Sequence, residues 1–417
     1  MTDSQRVPLV LVGGLADVPV RLVADRLCGT DRATAYVHHD LRRIDDGVVR
    51  RHIRLGACEH LATLQLAHGC VSCTLREDLL PLLRGLARQP EVRRIVVRLD
   101  AAMAPERVCR ELHNGVVDDV PVLDDMEIEA VVTALDQSTW FAAATGDDSL
   151  REHGLHGGPD DDRTLAQLAV AQVEFADVVV LAGTAPDAWT AARTGAVLER
   201  LAPSAALLEL SGVDAESVRA AAPPDSPHGL PRDPHGWLVQ GEPPLQPDCG
   251  VELLTFEAQR PFHPLRLHEA IDVLLDGVVR TRGRAWVASR PDEMFWIESA
   301  GGGLGIRHAG PWLASPHGPA WEDVSAERRT VAALRWHPVW GDRAQELVIL
   351  THRADPAELE QALRHALLTD RELADGREAW ARYPDPFGTW HTDPCDDAGS
   401  AAEREALDVP ARPDELP

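Results

Sequence analysis

The run VPLVLVG, Val7 to Gly13, is apolar without interruption, as a strand buried on both faces of a parallel sheet has to be. The next stretch, ADVPVRLVADRLC, spaces its apolar residues for one face of a helix, so the two read as a strand–helix unit. Further strand-like runs follow at ATAYVHH from Ala33, RRIVVRL (Arg93 to Leu99), EIEAVVTAL (Glu127 to Leu135), ADVVVLA (Ala176 to Ala182) and AALLEL (Ala205 to Leu210). Helical patterns separate most of them. Alternation of this kind predicts an α/β fold, a doubly wound parallel sheet covered on both faces. Between two of these strands, Thr145 to Arg163 is polar, Gly-rich and acidic and reads as a long mobile excursion.

The texture changes after residue 220. Residues 221–248 are dense in Pro and Gly and read as a linker. Beyond them come VELLTFEA, the helix PLRLHEAIDVLL, then GVVRTRGRAWVAS, EMFWIES, LGIRHA, QELVILTH and a closing helix DPAELEQALRHALL. Strands flanked by two helices predict a smaller α+β domain over 249–394, in which most of the tryptophans serve packing. Residues 395–417 form an acidic, Pro-containing tail of disordered composition.

A chain of 417 residues suits two or three domains, and 44% hydrophobic residues are enough to build their cores. The net charge of −26 argues against a broad nucleic-acid surface and favours a basic protein partner. No apolar segment approaches the roughly 20 residues that span a bilayer, and no signal-peptide pattern opens the chain, so a cytoplasmic protein is expected. All basic residues are Arg: Lys is absent, and Asn occurs once, as Asn114. Seven cysteines are an odd count for a disulfide framework.

Two of those cysteines lie in LAHGCVSCTLREDL, residues 66–79. Thr74 and Glu77 have the spacing of a capping box, and Leu75, Leu79, Leu82, Leu83 and Leu86 line one helical face, which places Cys73 just outside a helix N-terminus. Backbone N–H groups and the positive end of the helix dipole favour thiolate there. Cys70 and Cys73 have a spacing that lets both sulfurs reach one zinc ion at about 2.3 Å. Two sulfurs do not complete a zinc site; the further ligands would come from His68, from Cys58 or His60 in ACEH, or from water. Redox exchange and inert thiols are the competing readings of the same pair.

Taken together, GCVSCTLREDLLPLLRGL, VVTALDQSTW, QVEFADVVVL, GVVRTRGRAWVASRPDE and WGDRAQELVIL resemble the CobW family of P-loop GTPases and zinc metallochaperones over nearly the whole chain. The resemblance implies a GTPase-type domain over 1–220 and a CobW-type C-terminal domain. The family's Gly-Cys-x-Cys-Cys signature is matched at Gly69, Cys70 and Cys73, with Ser72 in place of the middle cysteine. Its nucleotide motifs are eroded. VGGLADVPVRL keeps Gly13 and Gly14 of a P-loop but has Pro19 and no Lys; Arg21 lies within reach of phosphates, yet its planar fork is no geometric substitute for Lys. Where the family reads guanine, the chain has Ala182, Gly183, Thr184 and Ala185, and Asp100 is displaced from the expected acidic position with no Gly after it. Binding of GTP and magnesium is therefore not expected.

The eroded P-loop with HGCVSC looks like an actinobacterial branch whose members recruit a ribosome hibernation factor to ribosomes under zinc limitation. That resemblance implies a nucleotide-hydrolysis-defective, zinc-responsive factor with a hibernation factor and the ribosome as partners. A GTP-dependent zinc metallochaperone is the alternative, and a thiol oxidoreductase a second one. His38 and His39 at a strand end, His337 in WHPVWGD, and the solvated run Asp160, Asp161 and Asp162 receive no role.

Overall fold

The computed structural model describes residues 6–66, 69–159, 161–222, 229–230, 234–239 and 241–388. The apolar run opens the structure as β1 (Val7–Gly13), followed by α1 (Asp17–Cys28), β2 (Thr34–Arg43), β3 (Val48–Leu55) and β4 (Cys58–Gln65). A helical segment runs from α2 (Val71–Thr74) through a π-helical turn at Leu75–Leu79 into α3 (Leu80–Ala87). Next come β5 (Arg94–Arg98), α4 (Pro105–Asn114), a small ribbon of β6 (Val116–Val117) and β7 (Val120–Pro121), and β8 (Met126–Asp136). The first domain closes with α5 (Trp140–Thr145), α6 (Leu165–Glu174), β9 (Val178–Ala182), α7 (Ala188–Leu201), β10 (Ala206–Glu209) and α8 (Ala215–Ala221).

Eight strands form one sheet in the order β10-β9-β8-β1-β5-β2-β3-β4. From β10 to β2 the pairings are parallel; β3 and β4 add an antiparallel hairpin at one edge. The sheet is of the P-loop GTPase type, mostly parallel with helices on both faces. The strand alternation explains the two layers: Leu9 and Leu11 of β1 pack with Leu75, Leu79, Leu83, Val108 and Leu112 on one face, and Val10 and Val12 pack with Val20, Val23 and Leu27 of α1 on the other. Each fully buried side chain of this kind contributes about 1.5–3 kcal/mol relative to exposure.

The second domain is an antiparallel sheet ordered β11-β15-β12-β13-β14, built from β11 (Glu252–Ala258), β12 (Val278–Ala285), β13 (Glu293–Ala300), β14 (Gly303–Pro311) and β15 (Gln345–Thr351). Helices α9 (Pro264–Leu275) and α11 (Pro356–Ala366) cover one face through Leu267, Leu274, Leu359 and Leu363, whereas α10 (Ala326–Arg335) lies in the connection to β15. Trp286, Trp312 and Trp380 are buried, as core packing requires. The opposite face carries Arg280, Arg282, Arg284, Trp296 and Glu298 and turns toward the first domain. A shared apolar cluster joins the two units: Leu135, Trp140 and Val170 pack with Val251, Val279, Ala300 and Leu350.

The excursion at Thr145 to Arg163 is packed where mobility was expected. Leu150 is fully buried, its N–H donates to the Arg163 carbonyl at 2.9 Å, and Gly157 and Gly158 are buried against the cysteine segment. Asp161 does more than face solvent: its carboxylate accepts the Gly157 N–H at 2.7 Å and the Arg163 guanidinium at 2.8 Å. Asp160 and the tail from residue 395 lie outside the described residues.

Candidate functional site

At the carboxyl ends of β1, β2 and β5 the sheet opens into a cavity of about 770 Å³, lined by Gly14, Arg21, His38, Arg42, Arg51, Arg98 and His156 among others. Such a crevice at the strand ends is where an α/β sheet binds ligands. Gly14 is obligatory: at φ 151° an added Cβ would collide with the Ala134 carbonyl oxygen and lie 2.8 Å from Val20 Cγ2. Helix α1 begins directly behind it. Its N-cap, Ala16, offers no side-chain bond, Asp17 occupies the first turn, and Pro19 supplies no N–H. Pro is tolerated in a first helical turn because the N–H there has no intrahelical partner, but that missing N–H is one a phosphate would use. Val20 is buried in the apolar layer under α1 and brings no hydroxyl for magnesium.

The helix end is instead served by its own chain. The Asp17 carboxylate pairs with Arg98, whose guanidinium also reaches the Tyr36 hydroxyl at 3.4 Å. Asp17 is 74% exposed, whereas Arg98 is 8% exposed, so the carboxylate caps a buried cation at the positive end of a helix. His38 donates from Nδ1 to the Arg98 carbonyl at 3.0 Å; burial and then the Arg98 charge push its pKa down to about 4. Asp100 is lodged beneath the crevice, accepting the Leu41 and Ala102 N–H groups at 3.0 Å each, and burial pushes it above the usual carboxylate range. Gly13 packs against Pro105 and Leu99 below the same turn. At the opposite end, Gly183 takes φ 68° and its carbonyl accepts Gln137 Nε2 at 3.2 Å, so side chain and backbone of the two loops engage each other.

The cysteine helix starts one turn earlier than its capping-box spacing suggested. Cys70 is the N-cap, with φ −140° and ψ 157°, and its sulfur accepts the Cys73 N–H at 3.3 Å. Thr74 lies inside the helix and donates its hydroxyl to the Cys70 carbonyl at 3.2 Å. The earlier start buries Val71 and Ser72, a gain that the Thr74–Glu77 cap would forgo. Cys70 Sγ and Cys73 Sγ stand 2.9 Å apart, both half-buried, at the end of the helix where N–H groups point outward. Ser72 is buried and its hydroxyl is held by Arg107 from α4.

Loops on either side fix this segment. The Val71 N–H donates to the Gly157 carbonyl at 3.3 Å, and Gly69 lies so close to the Ile44 carbonyl oxygen that no side chain fits. His68 lies outside the described residues. Cys58 and His60 are not brought to the pair. Both are exposed on β4, where Cys58 opposes Leu55, His60 opposes Ile53 and Gln65 opposes Val48. Counted from Gln65, the end nearest the cysteine segment, Cys58 is ~23 Å and His60 ~17 Å away along the strand. Among the described residues no third His, Cys, Asp or Glu joins the two thiols. Two sulfurs together are a donor set suited to a soft cation.

One connection was missed at the sequence level. His39, fully buried, meets Asp78 at 2.6 Å, and Arg51 meets the other oxygen of the same carboxylate at 2.5 Å. Burial pushes Asp78 up, but the bonds from His39 and Arg51 outweigh it and hold the carboxylate below its usual range. Asp78 sits in the π-helical turn after Cys73, and Arg51 also lines the crevice, so one ion pair links the two sites. Within RRHIRL only HIRL alternates polar and apolar positions, too short a signal for β3 to have exposed this link.

Comparison with known proteins adds the following. Residues 28–208 match the CobW/HypB/UreG nucleotide-binding domain, and residues 251–367 match the cobalamin synthesis protein cobW C-terminal domain. A zinc chaperone of Mycobacterium tuberculosis is 42% identical over 95% of this chain and 96% of its own length. A zinc-regulated GTPase metalloprotein activator of Dictyostelium discoideum is 27% identical over 78% of this chain and 70% of its own. The zinc-bound YjiA GTPase of E. coli aligns over 87% of this chain and all of its own at 12% identity, with a TM-score of 0.36. Among the described residues no helix is long and apolar enough to cross a membrane.

Proposed function

The chain belongs to the CobW family, and from that premise we propose that it is a zinc-handling member that carries the ion as cargo on Cys70 and Cys73 and does not turn over GTP. The observation that carries the zinc reading is that both sulfurs lie side by side at one helix N-terminus, in a chain 42% identical to a zinc chaperone. Two thiolates alone do not complete a tetrahedral shell; the remaining ligands would come from His68, from water or from a recipient protein. Coordination requires both thiols to lose their protons, so uptake weakens as pH falls.

The reading of the crevice rests on three substitutions of function. Asp17 places a carboxylate where a phosphate would lie, Pro19 stands where a Lys would neutralise it, and Val20 stands where a hydroxyl would hold magnesium. The nucleotide-domain match also begins at residue 28, past the whole loop. GTP-dependent metallochaperone activity is the alternative, supported by the activator relative.

The test loads reduced protein with zinc and measures the bound metal. One ion per chain is expected, lost in Cys70→Ser with Cys73→Ser and retained in Cys109→Ser, whose thiol burial pushes far above the ordinary range. No uptake overturns the zinc reading and leaves thiol exchange with a disulfide substrate as the chemistry of the pair. In parallel, tight GTP binding with magnesium-dependent turnover would restore the GTPase. A further proposal concerns recruitment of a ribosome hibernation factor in the cytoplasm. The charge of −26 supports it by steering a basic partner, and equal recovery of that factor from zinc-starved and zinc-replete cells overturns it.

A further inference from the structure

We propose that a small cavity at the junction of the two domains binds a short-chain monocarboxylate through Arg200. The cavity has a volume of about 70 Å³. Its walls come from the last turn of α7, the turn after α6, strands β11, β12 and β15 of the second sheet, and the linker around Leu238. Among the described residues it shares no lining side chain with the crevice at the strand ends, and neither cysteine of the pair borders it. The proposal therefore stands apart from the zinc reading.

Arg200 is 6% exposed and sits in the last turn of α7. One of its N–H groups donates to the Ala196 carbonyl a turn back at 2.8 Å, and another to the Gln246 carbonyl of the linker at 2.6 Å. Its Nε has no hydrogen-bond partner. No carboxylate of the described residues forms an ion pair with it. The two other cations on the wall, Arg280 and Arg282, are matched: Glu174 meets them at 2.9 and 3.1 Å, and Glu298 meets Arg280 at 3.3 Å. The negative end of the α7 dipole and the two carbonyls offset part of the cost of burying the Arg200 charge. A counter-ion is what the site lacks, and a buried guanidinium without one binds an anion in preference to water.

The rest of the wall selects the body of that anion. Phe175, Leu201, Leu238, Leu253, Val348 and Leu350 offer an inorganic anion nothing in exchange for its water, whereas an alkyl chain gains by burial against them. At about 10–15 Å³ for each water-sized sphere, the volume admits about five of them, which suits an acid of about four to six heavy atoms such as propionate or butyrate. A nucleotide or a long fatty acid does not fit. The bound acid would touch α7, the linker and the second sheet at once, so its occupancy stabilises their junction.

The test is isothermal titration calorimetry on the full chain with butyrate, with butanol, which keeps the alkyl chain and lacks the charge, and with inorganic phosphate, which has charge and no chain. Butyrate should bind one per chain and raise the melting temperature, and the other two should bind at least tenfold more weakly. Arg200→Met should cost butyrate at least tenfold in affinity. So should Leu238→Trp, which fills the cavity from a half-buried linker position and leaves the guanidinium in place. Leu238 lies outside every helix and strand, so this second variant tests the cavity even where loss of Arg200 unfolds the chain. Absence of butyrate binding, butanol or phosphate binding as tightly as butyrate, or unchanged butyrate affinity in either folded variant overturns the proposal.

Discussion

Acid should loosen the junction between the two domains through His352. This residue follows β15, is 6% exposed, and accepts at Nδ1 from Arg193 of α7 at 2.7 Å; its carbonyl accepts the same guanidinium at 3.0 Å. Arg193 also lies 4.8 Å from the centroid of Phe141, and that ring packs edge-on to His352. Burial, then the charges of Arg193 and Arg353, lower the pKa from 6.5 to about 4, with Asp276 opposing. The folded state therefore holds the ring neutral, while the unfolded chain takes up a proton as pH drops below 6.5. The stabilisation is whole above that value and drains away as pH falls toward 4. In full it amounts to about 3 kcal/mol, at about 1.4 kcal/mol per tenfold in proton affinity, and about 2 kcal/mol of it is gone near pH 5. Urea unfolding followed by tryptophan fluorescence near pH 7.5 and pH 5 measures this. The variant His352→Leu should be less stable at the higher pH, because Arg193 loses its side-chain acceptor and keeps only the backbone carbonyl, but should lose about 2 kcal/mol less on acidification than the parent. An equal loss in both proteins would refute the reasoning. His38, also lowered to about 4, supplies a second decrement of the same sign inside the crevice, while Asp100, raised by burial, runs the other way and gives up stability as pH rises.

Changing Cys58→Ser together with His60→Ala should leave zinc stoichiometry untouched, since both lie exposed on β4; a fall in bound metal would show that the edge strand folds back onto the pair. Gly14→Ala should cost about 2–4 kcal/mol, from a left-sided φ and a collision with the Ala134 carbonyl, and an unshifted melting temperature would contradict the geometry. Arg84→Met should destabilise by about 3–5 kcal/mol, because this 3%-exposed guanidinium holds Asp125 at 3.1 Å and bonds the Val117 carbonyl; chemical denaturation reads it directly.

The parallel strands were legible because each is an apolar run with no other stable use, as in β1, β5 and β9. The β3–β4 hairpin was not. RRHIRL and EHLATLQ pair at a solvated edge, where charged side chains such as Arg50 and Glu59 are exposed and the apolar alternation is diluted. Missing that hairpin hid Arg51, and with it the ion pair to Asp78. The start of the cysteine helix was shifted for a related reason: a Thr-x-x-Glu cap is a local preference, and burial of Val71 and Ser72 under the Gly157–Gly158 turn is a tertiary gain that overrides it. The cysteine pair itself was visible from spacing alone, whereas Arg107, which holds Ser72 between the two cysteines, comes from α4, 35 residues further on.

The carboxylate of Asp17 at the head of α1 has a consequence for every anion that might enter the crevice. It is a competitor that cannot be dialysed away, present at the effective concentration of a tethered group, on the order of millimolar. A visiting anion must first displace it from Arg98 and then meet the helix end without the Pro19 N–H. Affinity measured on such a crevice is a net exchange, never a simple gain. Removing one methylene-linked charge, as in Asp17→Ala, would convert a self-inhibited pocket into an ordinary cationic one.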